Sequence, residues 1–353
     1  MKNLKKLRKK IDQIDNNIIR LLTDRAEVSL EIGSLKAKSA RPTFSPDREK
    51  QVYERLTAAN KGPLSNDMIK AIYREVMSGS LALEKPLKIA YLGPEATFTH
   101  IAALKKFGSS VNYLRAGSIT EVFTEVERGR ADYGVVPIEN STEGAVNHTL
   151  DMFTESDLKI YSEVLLPIEH NLLAKGKISS IKRIYSNPQV LGQCRIWLET
   201  NLPKVDLIPV TSTTKAAQLA AKGVSSAAIA SRLAADRYDL KIIAESIEDS
   251  PHNITRFLVI AKAEAGPTGG DKTSIMLSSK DRVGVLHDML VPFKKNRVNL
   301  TKIESRPSKK KAWRYYFFID MQGHIKEKRL ERALKQVKKH CAYFKFLGSY
   351  PAA

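Results

Sequence analysis

The stretch LKKLRKKIDQIDNNIIRLLTDRAEVSLEIGSLKAK, residues 4–38, repeats apolar side chains with a heptad period. The two interleaved series of the repeat are Leu4, Ile11, Ile18, Arg25 and Ile32, and Leu7, Ile14, Leu21, Val28 and Leu35. Nine of these ten positions are apolar, which predicts one long helix with an apolar seam. The tenth position is Arg25, a charged side chain where the pattern favours burial.

An arginine in an apolar seam needs an ionic partner or a ligand. For Arg25, a glutamate from another helix is one possibility and a bound anion is the other. Lys36 follows Arg25 by three helical turns, so the two side chains project to nearly the same side, about 16 Å apart along the axis, with Ser29 between them. Arg8 lies about 25 Å before Arg25. It therefore reaches an anion near Lys36 only from a second, antiparallel chain.

Length and composition indicate an ordinary multidomain protein. A chain of 353 residues with 42% hydrophobic side chains has material for two or three domains. No stretch approaches the length of a membrane span and no apolar signal region opens the chain, so we expect no membrane association. Two cysteines, Cys194 and Cys341, and seven scattered histidines form neither a disulfide framework nor a metal-ligand pattern. We expect a cytoplasmic location, no metal and no cofactor.

The formal net charge is +20 and is concentrated at the two ends of the chain. Residues 1–85 carry 18 basic and 11 acidic side chains, residues 86–270 carry 20 of each, and residues 271–353 carry 20 and 7. Such an excess is typical of a nucleic-acid binder, of a protein for small dianions, or of a solvated basic face. The tract KKK at 309–311 has a loop-like context and the run 326–339 a helix-like one. These contexts favour a solvated basic face as the explanation for most of the excess positive charge.

The first segment, 1–86, has helical periodicity throughout and is predicted to be an all-α domain. Its first helix should end near Ala40, because two prolines follow. A second helix should begin near Asp47 with Ser45 as its cap, and a third follows the break KGPLSND. Three helices make a small core on their own, so we expect the chain to pair with a second copy.

From about Leu87, short β-branched runs alternate with helical patterns. The candidate strands are KIAYLG, YGVVPIE, RIYS, DLIPV, AAIA and RFLVIAK. This alternation predicts an α/β domain over 87–264 with mainly parallel sheets, which bind ligands at the carboxyl ends of their strands. Four polar loops follow apolar runs: GPEATFTH (93–100), PIENSTEGAV (137–146), SNPQVLGQC (186–194) and DSPHNITRF (249–257). Each loop taken singly is more often a capped turn than a site.

The last segment has a different order of elements. A linker rich in glycine is predicted over 265–271. Residues 272–353 follow the order strand, helix, strand, strand, helix, strand, which predicts an α+β ferredoxin-like domain.

The helical segment resembles the all-helical chorismate mutase family over residues 4–84. The resemblance rests on LRKKID, RLLTDR, EIGSLKAK, PDRE and SLALE in this order and spacing. In that family intertwined protomers share the site, which implies a homodimer or a higher homo-oligomer. The resemblance places Arg8 of one chain on chorismate together with six residues of the other chain: Arg25, Lys36, Arg48, Glu49, Ser80 and Glu84. It implies that two arginines hold the two carboxylates and that Glu49 accepts from the ring hydroxyl.

The rearrangement of chorismate to prephenate is intramolecular and needs neither a nucleophile nor a cofactor. The enzyme must fold the enolpyruvyl arm over the ring and stabilise negative charge on the ether oxygen. Lys36 is the chief catalytic candidate at that oxygen, and Glu84 is the second. The family often has glutamine where this chain has Glu84, and a carboxylate donates a hydrogen bond only when it is protonated. We therefore expect mutase activity to fall as the pH rises.

The four polar loops, together with VTSTTKAA (210–217), resemble prephenate dehydratase from about Lys88 to Lys262. The most specific pieces are VPIENS and NITRF. The family has two α/β lobes around a cleft, similar in shape to periplasmic binding proteins. The reaction removes a carboxylate and the ring hydroxyl of prephenate to give phenylpyruvate.

The same resemblance assigns roles in the dehydratase site. Thr255 lies at the departing hydroxyl, where it orients or relays a proton, and Glu139 is a competing acid. Arg256 either binds a carboxylate or braces its loop. The other candidates for holding prephenate are Thr97, Asn140, Ser141, Ser186, Gln193, Thr213 and Phe257. Two positions depart from the family: Ala96 replaces the usual glycine, which disfavours a positive φ there, and Asn187 replaces a common histidine.

The stretches DRVGVLHDML and NLTKIESRP resemble the ACT regulatory domain that is joined to these dehydratases. The implied ligand is L-phenylalanine, held between two such domains, with inhibition through its higher affinity for a closed state. A salt-bridged strand end is the alternative explanation of the ESRP charges. The implied ligand-binding residues are Gly284, Val285, Leu286, Asn299, Leu300, Glu304, Ser305, Arg306 and Pro307.

The three resemblances together imply a bifunctional chorismate mutase–prephenate dehydratase that is regulated by phenylalanine. One alternative is a dehydratase that prefers arogenate. Another is an amino-acid-responsive regulator that binds nucleic acid through its basic ends. The sequence has no recognisable helix-turn-helix. Its central segment, residues 86–270, has no net charge and carries polar loops of the kind found in active sites. We therefore expect an enzyme without a nucleic-acid partner.

Overall fold

The computed structural model describes residues 2–39, 42–279, 282–308 and 315–353, and the basic tract 309–311 lies outside them. The chain divides into two compact units. Unit 1 comprises Met1–Lys88 and Lys106–Asn112, and unit 2 comprises Ile89–Lys105 and Tyr113–Ala353. None of the helices in the described residues has both the length and the apolar character that a membrane span needs.

Three helices build most of unit 1, as the sequence predicts. Their bounds are α1 (Lys2–Lys38), α2 (Pro46–Ala59) and α3 (Asn66–Glu84). Ser65 caps α3 by accepting a hydrogen bond from the main-chain N of Met68. Ser45 occupies the cap position of α2, as expected, but its side chain makes no capping bond.

The apolar seam of α1 is exposed within unit 1. The exposed fraction of its apolar side chains runs from 43% at Ile32 to 65% at Leu35. Burying one such side chain contributes about 1.5–3 kcal/mol, so a second surface over this seam would add much of the stability that three helices lack.

Short strands and helices alternate after α3. The elements up to residue 261, in chain order, are β1 (Lys88–Leu92), α4 (Phe98–Phe107), β2 (Asn112–Ala116), α5 (Ile119–Glu127), β3 (Tyr133–Asn140), β4 (Gly144–Ala145), α6 (Asn147–Glu155), β5 (Lys159–Pro167), β6 (Asn171–Ala174), β7 (Arg183–Ser186), α7 (Pro188–Gln193), α8 (Arg195–Asn201), β8 (Asp206–Pro209), α9 (Thr213–Ala220), β9 (Ser226–Ala230), α10 (Arg232–Tyr238), β10 (Lys241–Ala244) and β11 (Ile254–Ala261). The candidate strands of the sequence correspond to β1, β3, β7, β8, β9 and β11.

Two sheets carry these elements and form the two lobes. The first has the order β2-β1-β3-β11-β5 with β4 paired to β3, and the second has the order β10-β6-β9-β7-β8. β1 and β3 run parallel, as do β7 and its two neighbours. β11 is antiparallel to β3 and β5, and β6 is antiparallel to β9 and β10. The prediction of mainly parallel sheets is therefore wrong, because an apolar run reports burial on both faces but not strand direction.

The chain ends in a four-stranded antiparallel sheet with two helices. The elements are β12 (Asp271–Ser279), α11 (Val285–Lys295), β13 (Leu300–Pro307), β14 (Tyr315–Gln322), α12 (Lys328–Val337) and β15 (Cys341–Pro351). The sheet order is β13-β14-β12-β15. Buried apolar side chains of β12, α11, β14 and α12 form one core cluster. This arrangement confirms the predicted ferredoxin-like unit.

Candidate active sites

A cavity of about 310 Å³ lies in unit 1, walled by α1, α2 and α3. Its volume falls within the range of small-molecule sites. Six of the seven residues that the resemblance assigns to chorismate line it: Arg25, Lys36, Arg48, Glu49, Ser80 and Glu84. The seventh, Arg8, is exposed on α1 and is not part of the cavity wall.

Arg25, the polar member of the seam, lines this cavity and donates to the hydroxyl of Ser80 on α3. The Ser80 hydroxyl in turn donates to the carbonyl of Val76 at 3.0 Å, so its lone pairs face the guanidinium. Glu84, a glutamate on another helix, pairs with Lys36. Arg25 is thus held by a neutral hydroxyl, which leaves its charge available to an anion.

Lys36 and Glu84 form a partly buried ion pair in the cavity wall. Lys36 Nζ lies 3.0 Å from Glu84 Oε2, and it also donates to the carbonyl of Thr43 at 2.7 Å. The exposed fractions of the Lys36 and Glu84 side chains are 26% and 8%. Gly33 makes this approach possible, because a Cβ at Gly33 would lie 3.0 Å from Glu84 Cγ.

The cavity wall carries more positive than negative charge. Its cationic residues are Arg25, Lys36, Arg48, Arg55, Arg74 and Lys106, and its carboxylates are Glu49 and Glu84. Arg55, Arg74 and Lys106 lie outside the motifs quoted from the sequence, so no local signal singled them out. A concave wall with this excess concentrates positive potential and suits a small dianion.

In unit 2, four polar side chains join into a hydrogen-bonded chain where β3 ends and β11 begins. Thr255 lies opposite Asn140 in the register of these strands. Asn140 Nδ2 donates to Thr255 Oγ1 and to Asn253 Oδ1, both at 2.7 Å. Asn253 Nδ2 donates to Gln193 Oε1 at 3.2 Å. The structure therefore brings together Thr255, Asn140 and Gln193, three predicted residues from three separate loops, and adds Asn253.

His170 extends this hydrogen-bonded network, although the sequence analysis did not identify it as a site residue. Its Nε2 lies 2.8 Å from Gln193 Oε1, and the ring is 1% exposed. Burial lowers the pKa of His170 below its ordinary value, so the neutral ring is favoured. Its Nδ1 is buried without a hydrogen-bond partner among the described residues.

The other predicted prephenate-binding residues are not members of this hydrogen-bonded network of side chains. Thr97, Ser141 and Ser186 each donate to a main-chain carbonyl, at 2.9, 2.9 and 2.8 Å. Thr213 is the first residue of α9 and is 8% exposed, and Phe257 is 1% exposed in the first sheet. Contact of these five side chains with prephenate stays a prediction.

Arg256 lies in a buried polar cluster next to Thr255. Its guanidinium donates to Glu163 Oε2 at 2.6 Å, to Asp320 Oδ2 at 2.5 Å and to the Tyr350 hydroxyl at 2.8 Å. Burial raises the pKa of Tyr350 well above its ordinary value, so this hydroxyl keeps its proton. Of the two roles that the sequence left open for Arg256, the geometry favours bracing.

Glu139 precedes Asn140 on β3 and faces the last domain. Lys302 Nζ on β13 lies 2.9 Å from Glu139 Oε2, an ion pair without hydrogen-bond geometry, and the Arg256 guanidinium lies 3.9 Å away. Glu139 thereby connects the strand that carries Asn140 to the ferredoxin-like sheet. Its role as an acid stays a prediction.

The residues of the ACT motifs lie on two elements. Gly284 is the N-cap residue of α11 and has a φ of +74°. Val285 packs toward the core, whereas Leu286 is 40% exposed. On β13 burial alternates, so that Glu304 and Arg306 are half-buried and Ser305 and Pro307 are exposed. Asn299 and Leu300 lie where β13 begins, and the carbonyl of Asn299 accepts from the main-chain N of Gln322 at 2.9 Å.

Arg306 has a partner outside its own domain. Its NH2 group lies 3.1 and 3.2 Å from the two oxygens of Asp151 on α6. An ion pair at this strand end is the alternative that the charges of ESRP suggested. Like Lys302 with Glu139, it joins β13 to the first lobe.

The two departures from the dehydratase pattern have structural outcomes. Ala96 adopts a φ of +64°, which is the left-handed conformation that glycine favours. The expectation that alanine would avoid a positive φ at this position is therefore wrong. Hydrogen bonds from Ala96 N to His100 Nδ1 at 3.1 Å and from Ser231 Oγ to Ala96 O at 3.0 Å hold the turn. Asn187 caps α7 by accepting from the main-chain N of Gln189 at 3.0 Å.

The fold and the two sites define a multidomain enzyme. An all-helical pocket with excess positive charge is joined to a two-lobed α/β domain, and a ferredoxin-like domain follows. Family models match the chain in the same order: chorismate mutase type II over residues 7–85, prephenate dehydratase over 89–265 and the ACT domain over 273–339. The domain bounds predicted from the sequence stay predictions.

Curated relatives match the whole chain. It is 51% identical to the bifunctional chorismate mutase/prephenate dehydratase of Aquifex aeolicus, over 100% of this chain and 99% of the relative. It is 47% identical to the enzyme of that name from Pseudomonas aeruginosa, over 99% and 98%. The chain belongs to the bifunctional chorismate mutase/prephenate dehydratase family.

A solved structure supports the fold of the dehydratase and ACT parts. The prephenate dehydratase from Arthrobacter aurescens, solved in complex with L-Phe, is 34% identical with a TM-score of 0.71, and the match covers 76% of this chain and 90% of that chain. These similarities do not favour the nucleic-acid-binding regulator that the basic ends suggested.

Proposed function

We propose that the protein rearranges chorismate to prephenate in the cavity of unit 1 and converts prephenate to phenylpyruvate at the Thr255 site of unit 2. We further propose that L-phenylalanine inhibits the second reaction by binding the ACT domain. The observation that carries the first activity is that one small cavity gathers the six residues the family would use. Full-length relatives that carry both activities in their name support the pairing.

The cavity can catalyse the rearrangement by position and charge alone. Arg25 and Arg48 would hold the two carboxylates of chorismate, which folds the enolpyruvyl arm over the ring. Lys36 would donate to the ether oxygen as the carbon–oxygen bond breaks and negative charge grows there. Glu49 would accept from the ring hydroxyl and fix the ring.

A second chain would complete this pocket. Arg8 cannot reach Lys36 of its own helix, since the two lie about 42 Å apart along α1. The exposed seam of α1 is the face through which an antiparallel copy would bring its own Arg8 to the cavity. We therefore propose a homodimer, or a higher oligomer built on it. A cytoplasmic location stays a prediction.

The Thr255 site can assist the loss of the ring hydroxyl. Asn140 Nδ2 donates to Thr255 Oγ1, so the Thr255 hydroxyl keeps its own proton free to point at the departing group. Prephenate loses carbon dioxide and hydroxide, the hydroxide takes up a proton to leave as water, and the ring becomes aromatic. An alcohol is a weak acid, so Thr255 orients or relays this proton.

L-phenylalanine would act through the contacts that join β13 to the first lobe. Lys302 pairs with Glu139, the neighbour of Asn140, and Arg306 pairs with Asp151. A ligand that binds one arrangement of the ACT domain more tightly shifts these contacts by its difference in affinity. Inhibition then needs no contact between L-phenylalanine and prephenate.

A coupled assay tests the proposed function. The purified chain receives chorismate, and prephenate and phenylpyruvate are followed with and without L-phenylalanine; prephenate and arogenate are also supplied directly. We expect phenylpyruvate from both chorismate and prephenate, little turnover of arogenate, and inhibition by L-phenylalanine. Chorismate that is left unchanged would refute the mutase activity, and a rate that ignores L-phenylalanine would refute the regulation.

A further inference from the structure

Unit 1 contains a short segment from beyond its helices, Lys106–Asn112, which falls inside the range matched by the prephenate dehydratase model. Specific contacts hold this segment on α3. Ser109 donates to Glu75 Oε2 from its main-chain N at 2.9 Å and from its hydroxyl at 2.6 Å. The main-chain N of Ser110 donates to Ser78 Oγ at 3.0 Å.

Gly108 lets the segment approach α3 closely. It has a φ of +71°, and a Cβ there would lie 2.5 Å from Ser78 Cβ. Any other residue would be strained and would clash. The segment is thus fitted to α3 rather than loosely placed against it.

The beginning of the segment reaches the cavity wall. Phe107 packs edge-on against Phe44 with ring centroids 5.1 Å apart. Lys106 Nζ donates to Glu49 Oε2 and lies 5.4 Å from the centroid of the Phe44 ring. The exposed fractions of the Lys106 and Glu49 side chains are 15% and 11%, so removing the lysine would leave a nearly buried carboxylate without this partner.

We propose that Lys106 is a positioning residue of the mutase reaction that acts through Glu49. Lys106 holds Oε2 of Glu49, and Oε1 then remains to accept from the ring hydroxyl of chorismate. The proposal rests on the proposed function, which gives Glu49 this acceptor role. It also means that a group needed for the first reaction lies in sequence outside the range matched by the chorismate mutase model.

Full-chain variants test this role. Lys106→Met removes the charge, Lys106→Arg keeps it, and Lys105→Met is the matched control because the adjacent Lys105 donates to the carbonyl of Leu165 and does not line the cavity. For each variant, mutase kcat and KM are measured with chorismate and with an analogue whose ring hydroxyl is replaced by hydrogen. Turnover of prephenate reports whether the rest of the chain is folded.

We expect Lys106→Met to lower kcat/KM for chorismate about tenfold or more, since a hydrogen bond to a charged group is lost. Lys106→Arg should recover most of this loss, and Lys105→Met should match the wild type. With the analogue, Lys106→Met should equal the wild type, because Glu49 then has no hydroxyl to accept from. In a Glu49→Gln background, Lys106→Met should cause little further loss.

Three results would overturn the proposal. If Lys106→Met rearranges chorismate as fast as an active wild type, Lys106 has no role. If the loss is equally large with the analogue, or adds fully to that of Glu49→Gln, Lys106 does not act through Glu49. A wild type that consumes no chorismate overturns the proposed function itself, and this proposal with it.

Discussion

Glu84 lies beside the lysine assigned to the ether oxygen, and replacing its carboxylate with an amide should speed the mutase reaction. Lys36 Nζ lies 3.0 Å from Glu84 Oε2. An ether oxygen that accepts from Lys36 would come within about 4 Å of this carboxylate. That oxygen gains negative charge in the transition state, so the Glu84 carboxylate opposes the reaction, whereas the amide of a glutamine can donate to the oxygen.

The size of the effect follows from this separation. Two like unit charges about 4 Å apart repel by about 4 kcal/mol at an effective dielectric constant of about 20. With about half a unit of charge on the ether oxygen, the penalty is about 2 kcal/mol, which corresponds to about 30-fold in rate. We therefore expect Glu84→Gln, which removes this charge, to raise kcat/KM for chorismate by about 30-fold.

The assay is the loss of chorismate absorbance at one fixed pH at which the wild type and the variants stay folded. Glu31→Gln is the matched control, because Glu31 is exposed on α1 and does not line the cavity; its kcat/KM should equal that of the wild type. A Glu84→Gln variant that is no faster than the wild type would refute the reasoning.

Three further predictions concern assembly, regulation and stability. The Arg8→Ala and Arg25→Ala variants should each be inactive as mutases. After the two variants are mixed and exchange subunits, about a quarter of the wild-type number of active sites should be recovered, because each mixed dimer keeps one intact site. No recovery would place the whole site within one chain. Gly284→Ala should raise the L-phenylalanine concentration for half-inhibition about tenfold, because alanine adopts the φ of +74° at this position only with strain, which would shift the start of α11. The uninhibited dehydratase rate should stay near normal, and an unchanged concentration for half-inhibition would contradict this assignment. Burial lowers the pKa of His170 in the folded chain, so protons bind the unfolded state more readily. The free energy of unfolding should therefore fall as the pH drops below 6.5. If the urea midpoint falls equally in the wild type and in His170→Gln, His170 is not a cause of this loss.

The long helix and its charged seam position could be predicted from the sequence because helical faces follow a local period. Arg25 interrupts that apolar period, and in the structure its side chain lines the cavity. Lys106 and Arg74 could not be predicted, since they reach the cavity only after distant segments pack together. No periodicity within their own elements reports that contact.

Not every strand of the two lobes could be predicted from its own sequence. β5 was missed because its sequence, KIYSEVLLP, includes Ser162 and Glu163, which are 2% and 4% exposed. Glu163 can be buried because Arg256 and Lys272 pair with it, and those partners come from β11 and β12. Strand direction and the place of His170 beside Gln193 likewise depend on packing across the chain.

The claim that two separate sites on one chain carry out successive reactions can be tested with one pair of variants. Lys36→Met should lose the rearrangement of chorismate yet still convert added prephenate to phenylpyruvate, and Thr255→Val should do the reverse. A mixture of the two variants should again form phenylpyruvate from chorismate, because prephenate made by one passes to the other. If either variant loses both activities while it remains folded, or if the mixture stays inactive, two independent sites cannot be the explanation.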